Sequence, residues 1–227
     1  MIKFESVSKI YKGDFVALEN IDLEIQKGEF VSIVGHSGSG KSTLLKLIYG
    51  EEMVTEGEVY FDENQLSKIK RSDLPKHRRM IGMVFQDFKL LPKKTVFENV
   101  AYALEVAGVS NEEIQENVTQ ILDIVGLANK MDKYPNQLSG GEQQKVAIAR
   151  ALVHTPMVII ADEPTGNLDP VSSLEIVQLL IRINELGTTI ILASHDRDVV
   201  DKANKRVIVL ENGRIIADHA KGKYKIA

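Results

Sequence analysis

Phe30-Val31-Ser32-Ile33-Val34, then Gly35-His36-Ser37-Gly38-Ser39-Gly40-Lys41-Ser42, then Thr43-Leu44-Leu45, is the stretch that decides the fold. A short apolar run, an octet of the form G-x4-G-K-[ST] and apolar positions at helical spacing (Leu44, Leu45, Ile48) predict strand, loop and helix in that order. Glycines let such a loop wrap with its amides pointing inward as an anion nest, and the helix N-terminus adds the positive end of its dipole. The expected cradle for a nucleoside triphosphate is Gly35, His36, Ser37, Gly38, Ser39, Gly40, Lys41, Ser42 and Thr43. Lys41 is expected to reach the β- and γ-phosphates, and the Ser42 hydroxyl to bind Mg²⁺.

A triphosphate site needs a metal carboxylate as well as an amide cradle. The apolar run 157–161 ends in Asp162-Glu163. Asp162 is expected to help hold Mg²⁺. Glu163, one residue on and facing differently, is expected to polarise an attacking water as general base. Residues 157–161 and 188–193 read as continuous β-branched strands covered on both faces, and residues 171–186 between them as a helix, which makes a βαβ unit. Residues 81–85 are a further strand candidate. Residues 1–5 and 21–25 ahead of the loop, and 57–62 beyond it, read as strands, with turn signals at Lys12-Gly13-Asp14 and Lys27-Gly28. Residues 99–107, 112–125 and 141–152 read as helices; in the second, Ile114, Val118, Ile121, Leu122 and Val125 make one stripe and Gly126 stands where the helix would stop. Residues 206–210 and 214–217 read as a hairpin. The fold class expected is α/β: a mostly parallel core sheet, an N-terminal antiparallel β part, and a helical insert at about residues 87–137, all within one domain spanning 1–227.

Composition narrows the function. The 227 residues contain no cysteine, which excludes a disulfide scaffold, a thiolate zinc site and a cysteine nucleophile. The formal net charge of −4 argues against a general nucleic-acid binder. No leader of basic-then-apolar type opens the sequence, and its longest apolar runs fall far short of the roughly 18 residues of a membrane span. A membrane role is therefore expected to go through a partner.

Leu138-Ser139-Gly140-Gly141-Glu142-Gln143 has two physical readings. Ser-Gly-Gly before a helix is a second amide nest for phosphate; it is equally a capped helix start, with Ser139 as N-cap and Glu142 closing a capping box. The hexapeptide resembles the signature motif of the ATP-binding-cassette (ABC) ATPases. That resemblance extends over nearly the whole chain. It implies the P-loop ABC ATPase fold, ATP and Mg²⁺ as ligands, and ATP hydrolysis. It further implies roles for Gln86 (Q-loop; catalytic and metal-binding), Asn167-Leu168-Asp169 (D-loop, with Asp169 at the nucleotide), His195 (switch histidine, catalytic) and Tyr11 (stacking on adenine). Cassettes of this family pair head to tail, so a homodimer is implied, with Ser139, Gly140 and Gly141 of one chain facing the γ-phosphate held by the other.

Within the family, the stretches 86–92 and 95–101, with 44–49 and 161–169, are similar to the cell-division branch. This implies a partner of FtsX type, an integral membrane protein whose shape change regulates cell-wall hydrolases, and a peripheral location on the cytoplasmic face of the membrane. Residues 161–169 are shared with ATPases of lipoprotein-releasing and macrolide-export transporters, which form the alternative. A DNA-acting ABC ATPase would need a long coiled-coil insert, which is not there, and a small-molecule kinase would have no use for residues 138–143. Phe88, Leu90, Leu91 and Pro92 offer an apolar surface for the partner's helix, or else pack the insert onto the sheet. Lys145 stands where many signature helices carry arginine. The basic segment 68–79 and Lys221, Lys223 and Lys225 are either solvated faces or contacts to anionic head groups.

Overall fold

The computed structural model describes residues 1–222; Lys223 and Lys225 lie outside them. Among the described residues, ten strands form two sheets. The first is antiparallel, in the order β2-β1-β4-β5, from β1 (Ile2–Tyr11), β2 (Phe15–Ile25), β4 (Glu56–Phe61) and the short β5 (Asn64–Gln65). The second runs β10-β9-β3-β8-β7-β6, from β3 (Phe30–Val34), β6 (Ile81–Phe85), β7 (Val158–Asp162), β8 (Thr189–Ala193), β9 (Arg206–Glu211) and β10 (Arg214–His219). It is parallel except for β10, which turns back on β9 through Asn212-Gly213.

Strand periodicity divides the core in two. Ile159 and Ala161 of β7 and Ile190 and Leu192 of β8 face α3 (Val96–Ala107), α4 (Asn111–Ile124), α5 (Gly140–Leu152) and α6 (Pro170–Glu185). Their neighbours Val158, Ile160, Ile191 and Ala193 face the antiparallel sheet and α1 (Lys41–Ile48). Continuous apolar strands are what a sheet covered on both faces requires, and the sequence reading of these strands holds. The stripe on α4 also holds: Ile114, Val118, Leu122 and Val125 are buried, and Gly126 leaves the helix at φ +75°.

The N-terminal hairpin is longer than its alternation suggests. β1 and β2 pair from Ile2↔Ile25 out to Tyr11↔Phe15, but the register slips three times, and Ser6 and Asn20 both sit at φ +48°. Each bulge shifts the inward-facing set by one residue, which breaks the period-2 pattern. Two short helices, α2 (Leu74–Arg79) and α7 (Arg197–Ala203), also escape periodicity, being under two full turns each. α2 holds half of the basic segment. Its His77 is buried, with Nε2 2.8 Å from the Ile48 carbonyl and its ring edge-on to Phe61, and Arg78 donates to the Tyr49 and Gly50 carbonyls. No helix among the described residues is long and apolar enough to cross a membrane.

α5 lies so close to β6 that a Cβ on Gly82 would sit 2.5 Å from the Ala151 carbonyl oxygen. Gly82→Ala is expected to cost about 1–3 kcal/mol by overpacking. For a chain of this size that is a fall in Tm of roughly 2–12 °C, read by thermal unfolding of the nucleotide-free protein.

Candidate active site

Strand β3 delivers the chain into the glycine loop, and α1 leaves it. Gly40 precedes α1 at φ +108°, and a Cβ there would lie 2.6 Å from the Ala17 carbonyl oxygen and 2.8 Å from Leu18 Cδ2, so only glycine fits. No side chain caps α1 and no acid stands in its first turn, which leaves its N-terminal amides and dipole for an anion. Lys41 is 7% exposed; its Nζ donates to the carbonyls of Gly35 at 2.8 Å and His36 at 3.1 Å. These atoms wall a cleft of about 600 Å³. His36, Ser37, Gly38, Gly40, Lys41, Ser42 and Thr43 line one side, and Gln86, Glu163 and His195 the other. Seven of the nine predicted cradle residues thus meet the predicted Gln86, Glu163 and His195 in one place, while Gly35 and Ser39 do not line it.

At the mouth, the cleft wall is Phe15, while Tyr11, directly across the ladder from it, carries Lys9 Nζ 4.9 Å over its ring. Tyr11, expected to stack on adenine, is not itself among the residues that line the cleft.

The end of β7 supplies the carboxylates. Burial pushes the Asp162 carboxyl above its ordinary range, against the pull of the Ser42 hydroxyl turned toward it; Glu163 adds to the rise and Lys41 opposes it. Asp162 Oδ1 is buried without a hydrogen-bond partner. A desolvated carboxylate oxygen with no donor, beside a serine hydroxyl, is a donor set suited to a hard cation; the residues present fit Mg²⁺. Glu163 occupies a left-handed conformation at φ +48°, fixed by its amide bond to the Ala193 carbonyl at 2.9 Å. That turn swings its carboxylate away from Asp162 to His195, whose Nδ1 lies 2.8 Å from Oε1, with Lys41 Nζ at 3.9 Å.

Gln86 leaves the end of β6, and the loop after it is held in place. Phe88 and Lys89 both have positive φ, +57° and +50°, and Arg150 of α5 donates to their carbonyls at 2.9 and 2.7 Å. Asn99, fully buried in α3, accepts from the Leu91 amide and donates toward the carbonyls of Leu91, Lys94 and Thr95. Leu90 packs on the helical core; Phe88 and Leu91 are half-buried and Pro92 is exposed. Sequence reading missed Asn99 and Arg150. An asparagine inside the apolar face of a helix is the signal that marks the first; the second depends on a tertiary contact alone.

Ser139, Gly140 and Gly141 do not line the cleft. Ser139 caps α5 in a full capping box with Glu142, which also binds Lys130. A Cβ would be tight at both glycines, 3.2 Å from Leu168 Cδ2 at Gly140 and 2.9 Å from Ser172 Oγ at Gly141. Asp169 caps α6, accepting from the amides of Val171 and Ser172 at 3.0 Å, and these bonds together with the Ser172 hydroxyl hold its carboxyl below its ordinary range. Lys145 Nζ pairs with Glu175 at 2.7 Å. One chain therefore shows the capped-helix reading of the signature segment, with its amide-rich turn facing away from its own cleft.

Three comparisons bear on this geometry. Residues 18–166 match the protein family described as ABC transporter. The chain is 50% identical over 224 residues to the cell division ATP-binding protein FtsE of Streptococcus pneumoniae (strain R6), covering 99% of this chain and 97% of that one. It is likewise 50% identical over 224 residues to FtsE of Bacillus subtilis, covering 99% and 98%. Among solved structures, the dimeric post-hydrolysis state of the ATP-binding cassette MJ0796, bound to ADP and Pi, superposes with a TM-score of 0.87 at 41% identity, covering 99% of this chain and 100% of that one.

Because its folded-state pKa is raised, the Asp162 carboxylate costs stability above that pKa and costs nothing below the unfolded value, about 3.9. Asp162→Asn is therefore expected to stabilise the nucleotide-free protein at neutral pH. The gain should shrink as pH falls through the raised pKa, as read by urea unfolding at a series of pH values.

Proposed function

The chain belongs to the ABC transporter family of ATPases, and we propose that it is the ATP-hydrolysing subunit of an FtsE/FtsX-type complex that acts in cell division from the inner face of the membrane. The observation that carries this is the identity to FtsE, 46–50% across four species groups and at least 95% of the chain. The cleft holds what ATP hydrolysis needs. The loop amides and Lys41 bind the phosphates. Ser42, Asp162 and Gln86 would hold Mg²⁺, which when bound neutralises charge on the β- and γ-phosphates. Glu163 takes a proton from water as the water oxygen bonds to the γ-phosphorus and the bond to the β-phosphate oxygen breaks, with the electron pair leaving on ADP. His195 keeps the Glu163 carboxylate at the cleft rather than turned out to solvent. Tyr11, beside Phe15, offers a ring for the adenine.

The half of the site that faces away supports a dimer. With Ser139, Gly140, Gly141 and Asp169 outside the chain's own cleft, a second copy related by two-fold symmetry can present them to the γ-phosphate. ATP then joins the copies, and its hydrolysis releases them. Phe88, Leu90, Leu91 and Pro92 are the proposed seat of the membrane partner. The support is mechanical: Arg150 ties this loop to α5, whose first turn is the signature segment, so a push on the loop reaches the dimer contact through one helix.

Glu163→Gln is expected to keep ATP binding, to lower turnover by roughly 10²–10⁴-fold and to run as an ATP-dependent dimer on size-exclusion chromatography. Ser139→Arg added to it should leave ATP bound and abolish the dimer; a persisting dimer overturns the sandwich. Tagged Glu163→Gln protein with Mg-ATP, drawn from detergent-solubilised native membranes, should bring down an FtsX-like protein. A lipoprotein-releasing or exporter permease in its place would overturn the division role and leave the chemistry standing.

A further inference from the structure

Gln86 and Asn167 exchange two hydrogen bonds across 81 residues of sequence. Gln86 Nε2 donates to Asn167 Oδ1 at 3.2 Å, and Asn167 Nδ2 donates to the main-chain carbonyl of Gln86 at 3.1 Å. The second bond orients the first. A carbonyl can only accept, so Asn167 must turn its NH₂ group toward it and leave Oδ1 for the Gln86 side chain. Oδ1 can only accept in turn, so Gln86 must meet it with Nε2. The atom of the Gln86 amide left over is the oxygen, and Gln86 lines the cleft alongside Lys41, Ser42 and Glu163. The two ends of a glutamine amide have nearly the same shape, so packing alone does not choose which one faces a ligand. Here the choice is made by hydrogen-bond polarity, passed from a main-chain carbonyl through Asn167. Gly166 leaves the space: a Cβ there would stand 2.7 Å from Gln86 Nε2.

We propose that Asn167 is a positioning residue for the metal of bound Mg-ATP: it sets the Gln86 amide so that Oε1, and not the NH₂ group, is presented to the cation, which rests on the reading of Gln86 as a metal ligand given above. An alanine at this position would leave the amide free to turn either way.

The test uses the full chain with Glu163→Gln, so that ATP stays intact, and reads Mn²⁺ as the probe by electron paramagnetic resonance. Asn167→Ala should weaken Mn²⁺ binding to the ATP complex by roughly tenfold, the lower end of what outer partners of a metal ligand contribute. Binding of ATP in EDTA, and the Tm of the nucleotide-free protein, should stay at the parent's values. Gln86→Ala should weaken Mn²⁺ at least as much, and adding Asn167→Ala to it should change nothing further, because Asn167 acts through that side chain. If Gln86→Ala weakens Mn²⁺ and Asn167→Ala does not, the positioning role falls and the ligand survives. If Gln86→Ala itself leaves Mn²⁺ binding intact, the ligand assignment falls and takes this inference with it. Additive losses in the double variant, or an equal loss of ATP binding in EDTA, overturn it as well.

Discussion

Three backbone segments meet at the phosphate loop, and the rest of the molecule is arranged around their contact. The loop itself, β2 at Ala17 and the turn between β9 and β10 approach with no side chain between them. A Cβ on Gly35 would lie 2.1 Å from the Leu210 carbonyl, and one on Gly213 2.8 Å from that of Ala17; the Gly213 amide donates to the Ser39 carbonyl, and its own carbonyl accepts from Glu19. The antiparallel sheet is therefore locked to the parallel one at the point where an anion must sit. The loop is braced by neighbouring main chain at Ser39 and by the Lys41 side chain at the Gly35 and His36 carbonyls, which leaves its amides for the anion.

The carboxylate side of the cleft works in the opposite sense. Asp162 keeps one buried oxygen without a partner, and Glu163 holds a left-handed backbone that non-glycine residues avoid at roughly 1–3 kcal/mol. Both features are unfavourable in the nucleotide-free chain, and both are relieved or used only when charge enters the site. Close-packed main chain on one wall and a carboxylate oxygen without a partner on the other make a cleft shaped for a ligand that brings its own anion and cation together.

Much of this was legible in the sequence because it is local. The strand-loop-helix around Lys41, the apolar run into Asp162-Glu163 and the stripe on α4 all follow from residues within one turn or one strand of each other. The length of the N-terminal hairpin was not, since bulges at Ser6 and Asn20 reset the alternation that would have revealed it. α2 and α7 were too short to show a stripe. At the site, most of the side chains that line the cleft were legible and their supports were not: Arg150 and the Gln86–Asn167 exchange join positions 61 to 81 residues apart, and no spacing rule connects them. The segment 138–143 had two readings, and a single chain displays the capped-helix one.

The loop at Phe88-Lys89 has one more consequence. Two consecutive non-glycine residues at positive φ sit there with one guanidinium gripping both carbonyls, and burial of Arg150 strengthens that grip while pulling its pKa down. Such a loop cannot yield by degrees. If Arg150 lets go, both backbones relax together to negative φ, and if it holds, neither moves. Displacement of this loop would thus be a discrete event, in the manner of a latch with a threshold rather than a spring with a stiffness.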